Sequence, residues 1–276
     1  MPTFGSMSLF ISSLNSGSNG NCFYIGNDRE AILVDAGISC RETEKRMKRL
    51  GLSMTKVRAI FVSHEHSDHI TGIPALSRKY QVPVYITPGT RLGSNIPIEE
   101  HLVCSFVAFK ALEVGDLSIT AFPKSHDAND PHSFIISFGG VTVGVFTDIG
   151  FSCKNVIGYF RKCNAAFLEA NYCDDMLENG GYPYFLKKRI SGDNGHLSNK
   201  QALELFTKNR AKNLSHLVLS HLSKNNNHPD LVNRLFSAHA GTTTIAVASR
   251  YEETPVFHIQ PSGQKRDVQQ RQLSLF

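Results

Sequence analysis

The feature that most constrains this chain is a His-rich segment, "HEHSDH" at residues 64–69, which directly follows an apolar run. The run "AIFV" at residues 59–62 is typical of a buried strand, so the segment lies where a strand turns into a loop. Burying three histidines and two acids without partners would be costly. Imidazoles and carboxylates that converge on one point bind divalent cations such as Zn²⁺ or Mn²⁺. The alternative is a solvated loop, but such a density of histidine without a metal role is uncommon.

Composition indicates an ordinary soluble globular protein. Of 276 residues, 41% are apolar and 19% are charged, which allows a sizeable core. A net charge of +5 permits an anionic substrate, although a lysine-rich surface would explain it equally well. The six cysteines lack a CxxC pair and are typical of reduced thiols. With no signal-peptide pattern and no membrane-length apolar segment, we expect a cytoplasmic protein without a membrane partner.

The order of apolar runs predicts an α/β (α+β) fold. Antiparallel hairpins, one of them turning at Gly139 and Gly140, are mixed with strand-to-helix steps, which favours two mixed sheets packed face to face with helices outside. The segment from Ser39 to Gly51 is predicted to be a helix, with Ser39 and Glu42 as a capping box. Further helices are predicted at about 153–162, 174–189, 198–209 and 228–238. We expect one hydrolase domain at 1–259 and a polar, flexible tail at 260–276.

The H-x-H-x-D-H spacing resembles the metallo-β-lactamase superfamily, whose fold is a four-layered αβ/βα sandwich with a two-metal site at one edge. Its other motifs are matched in order: Asp35 in "LVDAG", His126 in "KSHDA", Asp148 in "FTDIG" and His221 in "LVLSHLS". The resemblance implies a metal-dependent hydrolase. Two cations would polarise the substrate and lower the pKa of a shared water.

The same resemblance assigns a role to each matching residue. One metal would be held by His64, His66 and His126, and the other by Asp68, His69 and His221. Asp148 would bridge the two ions, and Asp35 would orient the histidine loop from behind. The sequence does not decide whether the metal ions are Zn²⁺, Mn²⁺ or Fe²⁺, because sites of this kind accept each of them.

Two further residues resemble the proton-donating pair of the tRNA-processing and related phosphodiesterase branches. Glu169 ends a strand in "FLEANY", and His196 precedes Ser198 in "GHLSNKQ". A phosphodiester needs such an acid because its departing alkoxide is a poor leaving group. The alternative is that His196 only makes hydrogen bonds to the local backbone at the start of a helix, where Ser198 and Gln201 form a capping box. Asp68, Glu169 and His196 are the predicted catalytic residues.

Several segments together resemble the YycJ/WalJ family of bacterial metallo-hydrolases, described as 5′ to 3′ exonucleases of double-stranded DNA. They are "SLNSGSNGNCFYI", "EANY", "GHLSN" and "LSHLSKNNN", and the resemblance spans roughly residues 8–258. It implies a DNA exonuclease of replication or repair. The alternatives are a small-molecule hydrolase of thioesters, lactones or cyclic phosphates, and a binding module with a structural metal.

Two polar loops are candidates for substrate binding. Ser18 and Asn19 lie in a Gly-Ser loop that could present backbone N–H groups to a phosphate, or form an ordinary turn. Asn225 and Asn226 lie close to His221, where their amides could bind a phosphate or cap the following helix.

The final residues, "QLSLF", place apolar side chains at the end of a polar tail. Gln272, Leu273, Leu275 and Phe276 match the consensus pentapeptide by which bacterial polymerases and repair proteins bind the DNA sliding clamp. The sequence therefore predicts a clamp anchor, which would raise the local concentration of DNA. The alternative is that these residues fold back onto the domain.

Overall fold

A computed structural model describes residues 7–261 of the chain. The predicted tail lies outside the described residues from 262 onward, and so do the clamp-binding residues Gln272, Leu273, Leu275 and Phe276. The boundary between the domain and its tail therefore stays a prediction. Between residues 7 and 261, none of the helices combines the length and the apolar composition that crossing a bilayer requires.

The first sheet is built mainly from the N-terminal part of the chain. Within the described residues it has seven strands in the order β14-β1-β2-β3-β4-β5-β6. Their bounds are β1 Leu9–Asn15, β2 Cys22–Gly26, β3 Ala31–Val34, β4 Val57–Phe61, β5 Val84–Tyr85, β6 Val103–Cys104 and β14 Phe257–Ile259. Pairing is antiparallel from β14 to β3 and parallel from β3 to β6, so this sheet is mixed.

The second sheet follows in the chain and is also mixed. In the part of the chain that the structure describes it has seven strands, in the order β13-β12-β11-β10-β9-β8-β7. Their bounds are β7 Ala111–Val114, β8 Leu117–Pro123, β9 His132–Phe138, β10 Val141–Phe146, β11 Ala165–Glu169, β12 His216–Ser220 and β13 Thr244–Val247. Pairing is antiparallel from β7 to β10 and parallel from β10 to β13.

Helices cover the outer face of each sheet. They are α1 Cys40–Arg49, α2 Ser67–Ile70, α3 Ile73–Tyr80, α4 Pro88–Ser94, α5 Lys154–Phe160, α6 Asp174–Asn179, α7 Tyr184–Ser191, α8 Asn199–Asn209 and α9 Pro229–Ser237. Side chains of α1 and α3 pack on the first sheet, and side chains of α5, α8 and α9 pack on the second. The predicted four-layered αβ/βα sandwich is therefore confirmed.

The period-two alternation of the strands explains the layers. In β11, Ala165 and Phe167 enter the core between the sheets, whereas Ala166 and Leu168 face the outer helices. Across the interface, the ring of Phe167 packs on that of Phe23 with centroids 4.8 Å apart. Because both faces are covered, such strands are apolar along their whole length instead of alternating with polar residues.

Two local predictions needed correction. The helix predicted at 174–189 is two helices, α6 and α7, because residues 180–183 interrupt it. Pro183 lacks the N–H that a continuous helix needs and disfavours helical backbone at the preceding residue. The Ser39 capping box is half formed: the Ser39 hydroxyl accepts from the Glu42 N–H, but the Glu42 carboxylate accepts from Arg46 instead. At α8, Ser198 and Gln201 form the complete box.

Candidate active site

The candidate site lies at one edge of the sandwich, where strands of both sheets end. Asp35 follows β3, Asp148 comes two residues after β10, and His221 follows β12. All three have left-handed backbone, with φ of 59°, 55° and 55°. They are half of the non-glycine residues with positive φ between residues 7 and 261, and such a conformation costs about 1–3 kcal/mol. The backbone turns sharply at these strand ends and points the side chains at one another.

The seven predicted metal ligands form one cluster. Ligand atoms of His64, His66 and His126 lie within 4.8 Å of one another, and those of Asp68, His69 and His221 form a second such group. Asp148 reaches both groups: its Oδ1 is 3.8 Å from His126 Nε2, and its Oδ2 is 3.3 Å from His69 Nε2. Asp148 therefore lies between the two groups, and its bridging role stays a prediction.

Hydrogen bonds fix which nitrogen of each histidine faces the centre. His126 Nδ1 donates to the Gly195 carbonyl at 3.0 Å, and His221 Nδ1 donates to Glu169 Oε1 at 3.0 Å. His69 Nδ1 donates to Asp35 Oδ2 at 2.7 Å. In the neutral form of these rings, Nε2 therefore carries the free lone pair that a metal ion needs.

Two orphaned atoms show that the cluster fits a cation. His221 Nε2 and Asp148 Oδ2 are buried and, within the described residues, have no hydrogen-bond partner. Buried polar atoms are normally paired, so an unpaired nitrogen and carboxylate oxygen aimed into one cluster are suited to coordinating a metal ion. The histidine and aspartate donor set fits Zn²⁺ or Mn²⁺.

The pKa values within the cluster divide the histidines into two kinds. Burial lowers the pKa of His64 well below its usual value and that of His126 to about 4, so both rings are neutral at pH 7. Burial also acts against charge on His69 and His221, but the surrounding carboxylates, with Asp148 the strongest, together outweigh it and raise their pKa values. The side of the cluster near Asp148 therefore favours positive charge.

Asp35 lies behind the cluster and holds the histidine loop. It is fully buried, and its carboxylate accepts from the Ser63 N–H and the Ser63 hydroxyl, both at 2.8 Å, besides His69 Nδ1. The Ser63 oxygen in turn accepts from His64 Nδ1 at 2.8 Å. One carboxylate is thus linked to two imidazoles, with Ser63 as the intermediary that sequence reasoning missed, and the orienting role of Asp35 stays a prediction.

Two more residues support the cluster in a role that the sequence did not indicate. Asn21 Nδ2 lies 3.1 Å from Asp68 Oδ2 and 3.1 Å from His69 Nε2. Lys124 is buried beneath the cluster and donates to the Thr147 carbonyl at 2.6 Å. Burial lowers the pKa of Lys124, although Asp148 and the other carboxylates around it act in the opposite direction. Nothing in the sequence distinguishes Lys124 from a surface lysine.

Glu169 and His196 form a hydrogen-bonded pair beside the cluster. His196 Nδ1 donates to Glu169 Oε1 at 2.8 Å, and Glu169 Oε2 accepts from the N–H groups of Ile149 and Leu197. Burial alone would raise the pKa of Glu169, but the charge and hydrogen bond of His196 lower it to about 2. Glu169 is therefore an ionised carboxylate at pH 7, and His196 is the pair's partly exposed partner.

A cavity of about 320 Å³ opens over the cluster. Its lining includes the predicted residues Ser18, His66, Asp68, Asp148, His196 and His221, together with Ser67, Asp127 and Arg189, which the sequence did not single out. The other candidate substrate residues make bonds within the protein. Asn19 donates to the Arg250 carbonyl, Asn225 donates to the Tyr182 hydroxyl, and Asn226 is buried beside Ser223.

A family model described as the β-lactamase superfamily domain matches residues 30–222, which include this site from Asp35 to His221. The chain belongs to the metallo-β-lactamase superfamily. It is 36% identical over 230 residues to exodeoxyribonuclease YycJ of Bacillus anthracis, covering 82% of this chain and 86% of the relative. It is 32% identical over 243 residues to exodeoxyribonuclease WalJ of Streptococcus pneumoniae, covering 83% and 89%.

The fold comparison agrees with this membership. The crystal structure of the metallo-β-lactamase fold protein YhfI from Bacillus subtilis superposes with a TM-score of 0.71 at 17% identity, over 92% of this chain and all of that one. With this family and the His/Asp cluster, the chain is a metal-dependent hydrolase.

We expect Mn²⁺ or Zn²⁺ to raise the Tm of this superfamily member, because a cation binds the folded cluster and not the separated ligands of the unfolded chain. At a free metal concentration 100-fold above Kd, the gain in the free energy of unfolding is about 2.7 kcal/mol. Calorimetry of the chelated and the metal-loaded protein measures it, with Asp148→Ala as the variant that should lose most of the increase. An identical Tm in chelator and in metal would count against a metal centre.

A Gly37→Ala substitution is expected to destabilise the Asp68 loop. The Asn21 N–H donates to the Asp68 carbonyl oxygen at 2.7 Å, and an added Cβ at Gly37 would lie 1.7 Å from that oxygen. Such overpacking costs about 1–3 kcal/mol, which is measurable as a lower Tm. Gly158→Ala in α5, where the added Cβ meets nothing within 4 Å, is the control and should not lower the Tm. Equal stability of the two variants would contradict this account.

Proposed function

We propose that the chain is a metal-dependent phosphodiesterase that removes nucleotides from the 5′ ends of double-stranded DNA during replication or repair. The observation that carries the proposal is the Glu169–His196 pair, which lies beside the metal-binding cluster with His196 lining the cavity. A positioned acid is what a phosphodiester leaving group requires. The two relatives, exodeoxyribonucleases YycJ and WalJ, support DNA as the substrate.

The residues that would hold two divalent cations follow from the two ligand groups. The first site takes His64, His66 and His126, the second takes Asp68, His69 and His221, and Asp148 lies between them. When bound, such cations supply Lewis acidity to the phosphate and lower the pKa of water toward neutrality. We propose Mn²⁺ or Zn²⁺, with Fe²⁺ as a further ion that the same donors accept.

The chain's own residues position and protonate the substrate. His196 donates a proton to the departing oxygen, and the ionised Glu169 stabilises the imidazolium through its bond to Nδ1. With Nδ1 engaged, Nε2 is the nitrogen available to carry the transferred proton.

A nuclease acting on cellular DNA works in the compartment that holds the DNA, so the proposal keeps the cytoplasmic location.

The test compares substrates and a variant that removes one ligand. Protein loaded with Mn²⁺ or Zn²⁺ is incubated with end-labelled double-stranded DNA, single-stranded DNA and RNA, each with a 5′-phosphate or a 5′-hydroxyl. Stepwise loss of 5′ nucleotides from duplex DNA, absent in a His64→Ala variant that is still folded by circular dichroism, is the expected result. Intact nucleic acid under both metals would overturn the proposal and favour hydrolysis of small thioesters, lactones or cyclic phosphates.

The C-terminal residues are proposed to anchor the enzyme to the DNA sliding clamp. Gln272, Leu273, Leu275 and Phe276 match the clamp-binding consensus, and such a tether would raise the local concentration of DNA at the site. Full-length protein should bind purified clamp in a surface-plasmon titration, and Leu273→Ala with Phe276→Ala should abolish that binding. Equal binding by both proteins would refute the anchor.

A further inference from the structure

Helix α7 is mostly exposed, and only Leu186, Lys187 and Ile190 are half-buried. None of its eight residues, Tyr184 to Ser191, is buried, and the rings of Tyr184 and Phe185 are 74% and 73% exposed. A helix this short gains its stability in a protein mainly by packing an apolar face, and α7 leaves even Leu186 and Ile190 only half-buried. Two adjacent exposed aromatic side chains of this kind are typical of a contact surface for another molecule.

The same helix carries positive charge to the catalytic cavity. Lys187, Lys188 and Arg189 are consecutive, and Arg189 is the one lysine or arginine among the residues lining the cavity. Its Nε donates to Asp127 Oδ2 at 2.6 Å, which holds the guanidinium next to the His126 loop. Arginine in such a place is suited to a phosphate oxygen, because its planar fork donates two parallel hydrogen bonds.

The end of α7 is also connected directly to catalytic residues. The His196 N–H donates to the Ile190 carbonyl at 2.8 Å, and the Gly195 carbonyl accepts from His126 Nδ1. The last turn of α7 is therefore joined through the backbone to the candidate acid and to one of the predicted metal ligands.

A groove between α6 and α7 adds a place for an uncharged group. It encloses about 450 Å³ and is lined by Tyr172 and Tyr184 as well as Lys188. Asp174 and Glu178 on the α6 side repel phosphates, so the groove suits a base more than the backbone of a strand. Phosphates are left to the α7 side, where Lys187 and Lys188 line the groove and Arg189 lines the cavity.

We propose that α7 is the strand-binding element of the enzyme. Tyr184 and Phe185 stack on unpaired bases at the end of a nucleic-acid strand, and Arg189 binds a phosphate as the strand enters the cavity. Aromatic stacking beside basic side chains is the usual way in which proteins hold single strands without reading their sequence. The inference rests on the proposed function and extends it, because it requires the terminal base pairs of a duplex to open at α7.

The first test measures binding without turnover. A fluorescein-labelled, phosphorothioate-linked strand of twelve thymidines is titrated with metal-loaded protein, and Kd is read by fluorescence anisotropy. Stacking on one base is worth about 1–3 kcal/mol, so Tyr184→Ala with Phe185→Ala should raise Kd about 5- to 150-fold. Phe109→Ala, which removes a 55% exposed ring outside the cavity lining, should leave Kd unchanged. An unchanged Kd in the Tyr184 and Phe185 variant would overturn the proposal.

A second test separates charge from stacking. Arg189→Gln should raise KM for a 5′-phosphorylated strand about tenfold or more, and Lys187→Gln with Lys188→Gln should reduce the dependence of log Kd on log salt by about one to two. Lys208→Gln, near the far end of α8, is the matched control and should change neither value. The same α7 variants are also tested for binding to phosphatidylserine vesicles. If they lose vesicle binding that the parent protein shows, while their Kd for DNA is unchanged, α7 contacts a membrane surface and strand binding is refuted.

Failure of this inference is distinguishable from failure of the proposed function. Parent enzyme that hydrolyses neither DNA nor bis(p-nitrophenyl) phosphate would show that the chain is no phosphodiesterase. Parent enzyme that degrades DNA, together with a Tyr184 and Phe185 variant of unchanged Kd and KM, would leave the function standing and exclude α7 as the strand-binding element.

Discussion

Replacing His196 with alanine is expected to lower kcat on DNA about 10²- to 10⁴-fold, the contribution of a positioned general acid. The reason is the leaving group: a departing deoxyribose alkoxide needs a proton, and His196 is the partly exposed histidine that Glu169 holds at 2.8 Å beside the cluster. The measurement is single-turnover degradation of end-labelled duplex DNA, with the protein's fold checked by its Tm.

A second substrate makes this prediction specific to proton donation. The p-nitrophenolate of bis(p-nitrophenyl) phosphate leaves without protonation, so the His196→Ala variant should lose much less activity on that compound. His101→Ala, which removes an exposed histidine outside the cavity lining, is the control. Equal losses on the two substrates would mean that His196 positions the site and does not donate the proton.

The sequence predicted the cluster because each of its residues belongs to a local pattern at a strand end. Asp35, Asp148 and His221 each follow a buried apolar run, and the ends of parallel strands meet at one edge of a sheet. The fold therefore brings together residues that the chain separates by up to 186 positions, from Asp35 to His221. What the pattern did not contain was the left-handed backbone at these three residues, which fixes where their side chains point.

The supporting residues could not be predicted, because their roles come from tertiary contacts. Asn21 contacts Asp68 across 47 positions of the chain, and Lys124 is buried although a lysine at the end of a strand is usually exposed. Arg189 was the last residue of one long helix predicted at 174–189, whereas the break at residues 180–183 creates α7 and brings its last turn to the cavity. Such contacts depend on how separate elements dock.

Asp35→Asn is expected to weaken metal binding about 10- to 100-fold, the usual effect of removing a partner that orients metal-binding histidines. Asparagine tolerates the left-handed backbone that Asp35 adopts, with φ of 59°, so the substitution changes hydrogen bonding and not the turn. The carboxylate accepts three bonds, two from Ser63 and one from His69, whereas an amide has a single acceptor oxygen. At least one donor then faces an N–H₂ group, and the imidazole of His69 loses its fixed orientation.

Competition for Mn²⁺ or Zn²⁺ with a coloured chelator measures the change in metal affinity. Activity should recover in part at high metal concentration, because the ligands themselves remain. Asp116→Asn is the control: Asp116 is an exposed carboxylate paired with Arg29, and its loss should leave metal affinity unchanged. Unchanged affinity in Asp35→Asn would instead mean that the cluster holds its geometry through the strand ends alone, since the three turns at Asp35, Asp148 and His221 would then suffice to aim the ligands.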